Sequence, residues 1–117
     1  MGNSKRQEKI NKSIRQYVDS GHKLVRNASR LSRHNSDLHE LAKTKKTLDL
    51  MREGKEVYTE VYLVGGGIAD IFVPEDYRVF EILASETEEE CLTKTLKYPF
   101  GLDIITLDAE EIMETIK

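Results

Sequence analysis

Apolar positions recur along this chain with two different periods, and the place where the period changes divides it. Ile10, Ile14, Tyr17 and Val18 are spaced at intervals of three and four, which predicts an amphipathic helix over residues 5–18 with a narrow apolar stripe and a basic outer face. Gly21 is expected to stop it in the left-handed conformation. Residues 22–34 carry Leu24, Val25 and Leu31 among Arg26, Arg30 and Arg33, and read as a second short helix or a loose connector. Asn35-Ser36-Asp37 is a helix start, with Ser36 or Asn35 as the cap and Asp37 and Glu40 in the first turn. Leu38, Leu41, Ala42, Leu48 and Met51 then keep helical spacing, Lys43, Lys45 and Lys46 take much of the remaining circumference, and Gly54 ends the element.

Beyond Gly54 the period falls to two. Val57, Thr59, Val61 and Leu63 alternate with Tyr58, Glu60 and Tyr62, a strand rich in β-branched and aromatic residues. Gly65-Gly66-Gly67 makes a turn into a strand at Ile68–Val73, and Pro74-Glu75-Asp76 makes a turn into a third at Arg78–Leu83, so the three form an antiparallel meander. Glu86–Lys97 reads as a helix capped by Ser85 or Thr87, with Glu88, Glu89 and Glu90 in its first turn and Lys94 and Lys97 in its last, as the helix dipole favours. After Pro99 a fourth strand, Leu102–Leu107, is reached by a helical crossover and so lies parallel to its neighbour. Asp108 caps a terminal helix over residues 109–116. The expected fold is α/β, a mixed four-stranded sheet flanked by helices, built by residues 35–117 and preceded by a basic helical arm at residues 1–34.

Composition narrows the setting. The chain has 117 residues, enough for one domain with a real core. No apolar run approaches the ~20 residues of a membrane span, the charged beginning does not read as a signal segment, and the single Cys91 cannot form an intramolecular disulfide. The expectation is a cytoplasmic protein that does not enter a membrane. A net charge of −3 conceals an asymmetry: residues 1–33 hold nine Lys/Arg against Glu8 and Asp19, while residues 34–117 hold nine Lys/Arg against nineteen Asp/Glu. A basic arm on an acidic body suits polyanion contact at one end.

The candidate chemistry lies in the strands. Asp70 and Glu81 interrupt apolar runs on neighbouring antiparallel strands, where two close carboxylates repel each other unless a cation intervenes. Mg²⁺ is such a cation, taking one or two carboxylates together with waters and substrate phosphate. Glu60, ten residues before Asp70 and across the glycine turn, is a third carboxylate able to converge, and Glu40 on the preceding helix a fourth. The glycines would leave room for a nucleic-acid backbone. His39-Glu40 begins a zinc-protease pattern, but Lys43 stands where the second histidine is needed. The glycine triplet is followed by no Gly-Lys-Ser/Thr, so it is not a P-loop.

In element order and acidic positions, roughly residues 36–107 resemble the PD-(D/E)xK nuclease superfamily, in particular its RecB-like and archaeal Holliday-junction-resolvase-like branches. The resemblance implies a restriction-endonuclease-like αβββαβ core. It makes Glu40, in Asp37-Leu-His-Glu40, the helix glutamate; Asp70, in Gly67-Ile-Ala-Asp70-Ile, the first metal carboxylate; and Glu81, in Val79-Phe-Glu81-Ile-Leu83, the second. Lys94-Thr-Leu-Lys-Tyr98 has the spacing of the Gln-x-x-x-Tyr motif of RecB-like members, with lysine in place of glutamine. One departure is plain: Leu83 stands where the family has its catalytic lysine. Lys94, or failing it Lys97, is expected to reach in from the following helix. The implied activity is Mg²⁺- or Mn²⁺-dependent endonucleolytic hydrolysis of DNA, on branched or structured substrates. Asp70, Glu81 and Glu60 would hold the metal. Lys5, Arg6, Lys9, Lys12, Arg15, Lys97 and Tyr98 would contact the DNA, and a homodimer is an assembly that the family allows. The alternatives are a nuclease-fold protein that binds DNA without cutting it, and an interaction protein whose acidic body takes a basic partner.

Overall fold

The structure, a computed structural model, describes residues 2–116, with side chains from Lys5 onward. Helix α1 (Gly2–Tyr17) and helix α2 (Asp37–Arg52) precede strands β1 (Tyr58–Tyr62), β2 (Ile68–Val73) and β3 (Arg78–Leu83), with a 3₁₀ turn at Pro74–Asp76; helix α3 (Glu88–Thr95), strand β4 (Asp103–Asp108) and helix α4 (Ala109–Glu114) complete the chain. The strands form one sheet in sequence order. β1 and β3 flank β2 antiparallel, and β4 joins β3 in parallel, as a helical crossover requires.

Local chemistry sets the helix ends. The Ser36 hydroxyl accepts from His39 N at 3.2 Å, Thr87 from Glu90 N at 3.1 Å, and Asp108 from Glu110 N at 2.8 Å, each satisfying an otherwise orphaned first-turn amide. α2 stops at Gly54, whose φ of 86° suits glycine alone at low cost. Gly21 differs from expectation: it is not among the positive-φ glycines. α1 already ends at Tyr17, because Val18 leaves the helix to bridge Leu63.

Two apolar clusters sandwich the sheet. One gathers Tyr17, Val18, Tyr58, Val61, Leu63, Phe72, Val79 and Tyr98; the other gathers Ala42 and Leu50 of α2 with Val57, Ile71, Val73, Phe80, Ile82 and Ala109. Each fully buried Val, Leu, Ile or Phe among them contributes about 1.5–3 kcal/mol. Ile10 and Tyr17 of the basic helix are buried, and Tyr17 belongs to the first of these clusters. Residues 19–34 form no helix but a connector along β1. Asp19 N donates to Tyr62 O, Val64 N to Tyr17 O and Asn27 N to Val57 O, each within 2.9 Å, so the outer edge of β1 is covered.

α2 buries a different face from the one its leucines suggest. Leu41, Leu48 and Met51 are exposed, while His39, Glu40, Ala42, Lys43, Thr47 and Leu50 are buried. A mostly polar stripe therefore faces the sheet, directly over the strands that carry Asp70 and Glu60.

Candidate active site

The β2–β3 ladder forks at the two carboxylates. Ile71 pairs with Phe80, Phe72 with Val79 and Val73 with Arg78; continuing that register would set Asp70 opposite Glu81. Instead of exchanging backbone bonds there, Asp70 N donates to Glu81 Oε2 at 3.0 Å and Ile82 N donates to Asp70 Oδ2 at 2.8 Å. Each carboxylate stands in for a backbone carbonyl, so the strands separate without orphaning an amide. Across β2 on the other side, Thr59 pairs with Ile71 and Val61 with Ala69, which places Glu60 opposite Asp70. Glu60 has a φ of 52° in mid-strand, a left-handed conformation that costs a non-glycine residue about 1–3 kcal/mol. Three acids thus stand at neighbouring positions on adjacent strands, where the β2–β3 ladder forks and β1 has a left-handed residue.

α2 supplies their partners. His39 Nε2 lies 3.2 Å from Asp70 Oδ2 and its Nδ1 lies 3.0 Å from Glu40 Oε1, so a charged imidazole donates to both carboxylates. Burial pulls His39 down, but the hydrogen bonds and charges of Asp70 and then Glu40 more than reverse it, and its pKa is raised. Lys43, with no exposed surface, sets Nζ 2.8 Å from Glu40 Oε2 and 2.9 Å from Glu60 Oε1, and donates to Arg30 O at 2.6 Å. Glu40 also accepts from Ser32 N at 3.1 Å and Asn35 Nδ2 at 3.0 Å. Burial pushes the Glu40 carboxyl up, yet these donors, Lys43 foremost, bring it down to about 2.

α3 and the segment after it supply the other side. Lys94 Nζ lies 2.8 Å from Glu81 Oε1, and the Tyr98 hydroxyl lies 3.2 Å from the same oxygen and 3.0 Å from Ile68 O. Glu81 is fully buried. Burial first and the Asp70 charge second push its carboxyl up to about 7, against the relief given by Lys94. The Lys94 ammonium is moved the same way: burial lowers it, but Glu81 and Asp70 hold it above its ordinary value.

The expected residues divide. Glu40, Asp70, Glu81 and Lys94 gather at the fork, with Glu60 joined to them through Lys43. Tyr98, expected on the DNA, is buried with its hydroxyl turned on Glu81, so it orients that carboxylate. Lys97 lies against the glycine turn. The room expected there for a nucleic acid is taken by the chain itself, for a Cβ on Gly67 would come 2.6 Å from the Tyr98 ring. The basic face of α1 is not at the site. Arg6 pairs with Glu75 at 2.8 Å and Lys9 sits 5.2 Å over the Tyr77 ring, both at the far end of β2 and β3, while Lys5, Lys12 and Arg15 are exposed on the same helix. His39 and Lys43 were missed as site residues. Their one sequence signal was the spacing of His39, Glu40, Lys43 and Thr47, a polar stripe at helical period.

Among the described residues no group of three or more His, Cys, Asp or Glu side chains is arranged to hold a metal ion. The donor set nonetheless suits a hard cation that keeps most of its waters. Asp70 lines a cavity of about 530 Å³ with Lys94 and Lys97, and its Oδ1 has no hydrogen-bond partner among the described residues. That oxygen is not among the buried unpartnered atoms either, so it is reachable from the cavity. No protein-family model, no curated protein and no solved structure matches the chain.

Proposed function

We propose that the protein is a metal-dependent DNA endonuclease of the PD-(D/E)xK kind, with the restriction-endonuclease-like core that this implies. The observation that carries the reading is the position of Lys94. Leu83 leaves the strand without its lysine, and α3 brings an ammonium to 2.8 Å from Glu81, at the same fork as Asp70. A bound Mg²⁺ or Mn²⁺, held by Asp70 and Glu81, would supply Lewis acidity toward a phosphodiester and lower the pKa of an attacking water.

The chain's own groups set up that chemistry. His39, held by Glu40, fixes Asp70 Oδ2 and leaves Oδ1 toward the cavity. Tyr98 and the Asp70 amide fix the two oxygens of Glu81. Lys94 places positive charge where a pentavalent phosphate gathers negative charge, and it does so before substrate arrives, which is what makes such stabilisation effective. Lys43 pairs with both Glu40 and Glu60 and so reduces what the third and fourth acids add to the repulsion at the fork.

The test is cleavage of duplex, branched and single-stranded DNA with Mg²⁺ or Mn²⁺, beside Asp70→Ala and Glu81→Ala. Cutting that survives both substitutions refutes the proposal. A second reading, DNA binding without cleavage, draws on a specific observation: Glu81 already has both oxygens occupied by Lys94, Tyr98 and a backbone amide. It predicts salt-sensitive binding that needs no metal.

A further inference from the structure

Strand β4 ends the sheet, and its outer edge is open. The outer edge of β1 is covered by the connector, whereas among the described residues only β3 and Tyr77 share backbone hydrogen bonds with β4 across the sheet. Asp103 N donates to Tyr77 O at 2.8 Å. That register turns the backbone groups of Asp103, Ile105 and Leu107 toward β3 and those of Ile104, Thr106 and Asp108 outward. A row of unpaired N–H and C=O groups is a template for another extended chain.

A groove runs beside that edge. One cavity, of about 310 Å³, has Cys91, Leu92 and Thr95 of α3 on one side and Ile104 and Thr106 of β4 on the other. Leu92 is 64% exposed, so this apolar wall is open to a ligand. A second cavity, of about 340 Å³, shares Glu88 and Thr106 with the first and lies toward the end of β4. Its charged lining residues are Glu86, Glu88, Asp108 and Glu111, and no Lys, Arg or His lines either cavity. Ile104, Thr106 and Asp108 are alternate residues of one strand and share a face. The apolar cavity touches the first two and the acidic cavity the last two, so the cavities are offset by two residues along β4. An added strand has the same period and would set its side chains i and i+2 into them.

Charge selects the occupant. Full antiparallel pairing of two β4 strands puts Asp103 of one copy opposite Asp108 of the other, so like charges oppose a second copy. An extended segment that carries a cation meets four carboxylates instead.

We propose that this groove docks an extended peptide segment of a partner protein, which adds a strand to β4, sets an apolar side chain between α3 and β4 and places a Lys or Arg two residues away among Glu86, Glu88, Asp108 and Glu111. In strand addition the main-chain hydrogen bonds give affinity, and pockets for alternate side chains give specificity. None of Asp70, Glu81 and Lys94 lines the groove, so the site stands whether or not the protein cuts DNA.

The experiment is fluorescence anisotropy with a fluorescein-labelled peptide, Ser-Lys-Thr-Leu-Thr-Lys-Ser, which reads the same in either direction along β4. It is expected to bind, and the same peptide with Glu for both Lys is expected to bind at least about tenfold more weakly. Two further peptides carry N-methyl groups on alternate amides, one on Leu and both Lys, the other on both Thr. One of the two should lose about tenfold or more in affinity and the other should not, because only one set of amides faces β4. On the protein, Thr106→Pro removes an outward N–H, a change that edge strands tolerate, and should weaken binding with Tm largely unchanged. Glu88→Lys with Glu111→Lys, both exposed, should weaken the Lys peptide and strengthen the Glu peptide. No binding at about 1 mM peptide overturns the proposal. So does equal binding of the two N-methylated peptides, which would reduce the contact to charge alone. A folded Thr106→Pro protein that binds as the parent does overturns it too, and if that variant does not fold, unchanged binding by the Glu88→Lys, Glu111→Lys protein does the same. Dimerisation of the parent that Thr106→Pro abolishes would replace the partner peptide with a second copy.

Discussion

Lys43 and Lys94 each bring an ammonium to a buried carboxylate, from different helices, and the two clusters behave differently. Lys43 is wholly enclosed, and its three donors meet Glu40, Glu60 and the Arg30 carbonyl within 2.9 Å. Lys94 keeps 34% of its side chain exposed and, among the described residues, pairs with Glu81 alone, beside a cavity. A saturated ammonium has nothing left to offer a ligand, while one with spare donors does. The same ion-pair chemistry therefore fastens the fold on one side of Asp70 and stays available on the other.

The largest effect is expected where the cation is saturated. Lys43→Met takes the ammonium from Glu60 and leaves Glu40 with His39 as its remaining charged partner, and removing one partner from a buried cluster costs about 3–5 kcal/mol. In a chain of this length that lowers Tm by on the order of 10 °C or more. Lys45 serves as the control: its pair with Asp49 at 2.6 Å lies on the surface, and Lys45→Met should cost under about 1 kcal/mol. Equal melting temperatures for the two variants would end the claim that Lys43 is structural.

Lys94→Ala should invert that pattern. Its stability cost is small because Glu81, with a carboxyl already near 7, takes up a proton when the ammonium is gone. Cleavage, however, should fall about 10²- to 10³-fold, the usual loss when one preorganised charge is taken from a transition state. If Lys94→Ala cuts at the parental rate, the lysine missing at residue 83 is not replaced from α3, and the contrast between the two lysines disappears.

Element order and strand pairing were legible in the chain because they follow simple rules: the change of period after Gly54, the capping residues and the helical crossover. Asp108 caps as read, and Ser36 and Thr87 are the members of the two candidate pairs, with Asn35 and Ser85, that cap. The face of α2 was not legible. Periodicity selects leucines, but this helix spends its buried face on His39, Glu40 and Lys43, whose burial is offset by partners on β1, on β2 and in the connector, far away in sequence. The fork was hidden for the same reason. Asp70 and Glu81 look like two acids on one face, whereas their oxygens replace backbone carbonyls, a role visible only once the register is known. Tyr98 was placed on the DNA by a motif's spacing, and its hydroxyl proves to point inward.

The smallest effect is a pH dependence that separates the same two clusters. Glu40, beside Lys43, has its carboxyl lowered to about 2 from an ordinary 4.5. A depressed acid contributes stability that is present above 4.5 and lost as pH falls toward 2. Glu81, beside Lys94, is raised to about 7. The sign reverses, so its contribution is full below 4.5 and fades as pH rises through 7. Tm against pH should therefore have an acid limb to which Glu40 contributes and a neutral limb shared by Glu81 and His39, whose raised pKa also makes its contribution fade as pH rises. Glu81→Gln should flatten the neutral limb by a few degrees and leave the acid limb in place. Glu40→Gln should do the opposite. A cation bound at the fork favours the ionised carboxylate, so Mg²⁺ added at neutral pH should release protons from the parent protein and fewer from Glu81→Gln. A neutral limb as steep in Glu81→Gln as in the parent would mean that the buried acid at the fork is not what titrates there, and Lys94 would lose its distinction from Lys43 as the cation set beside a group that changes charge near neutrality.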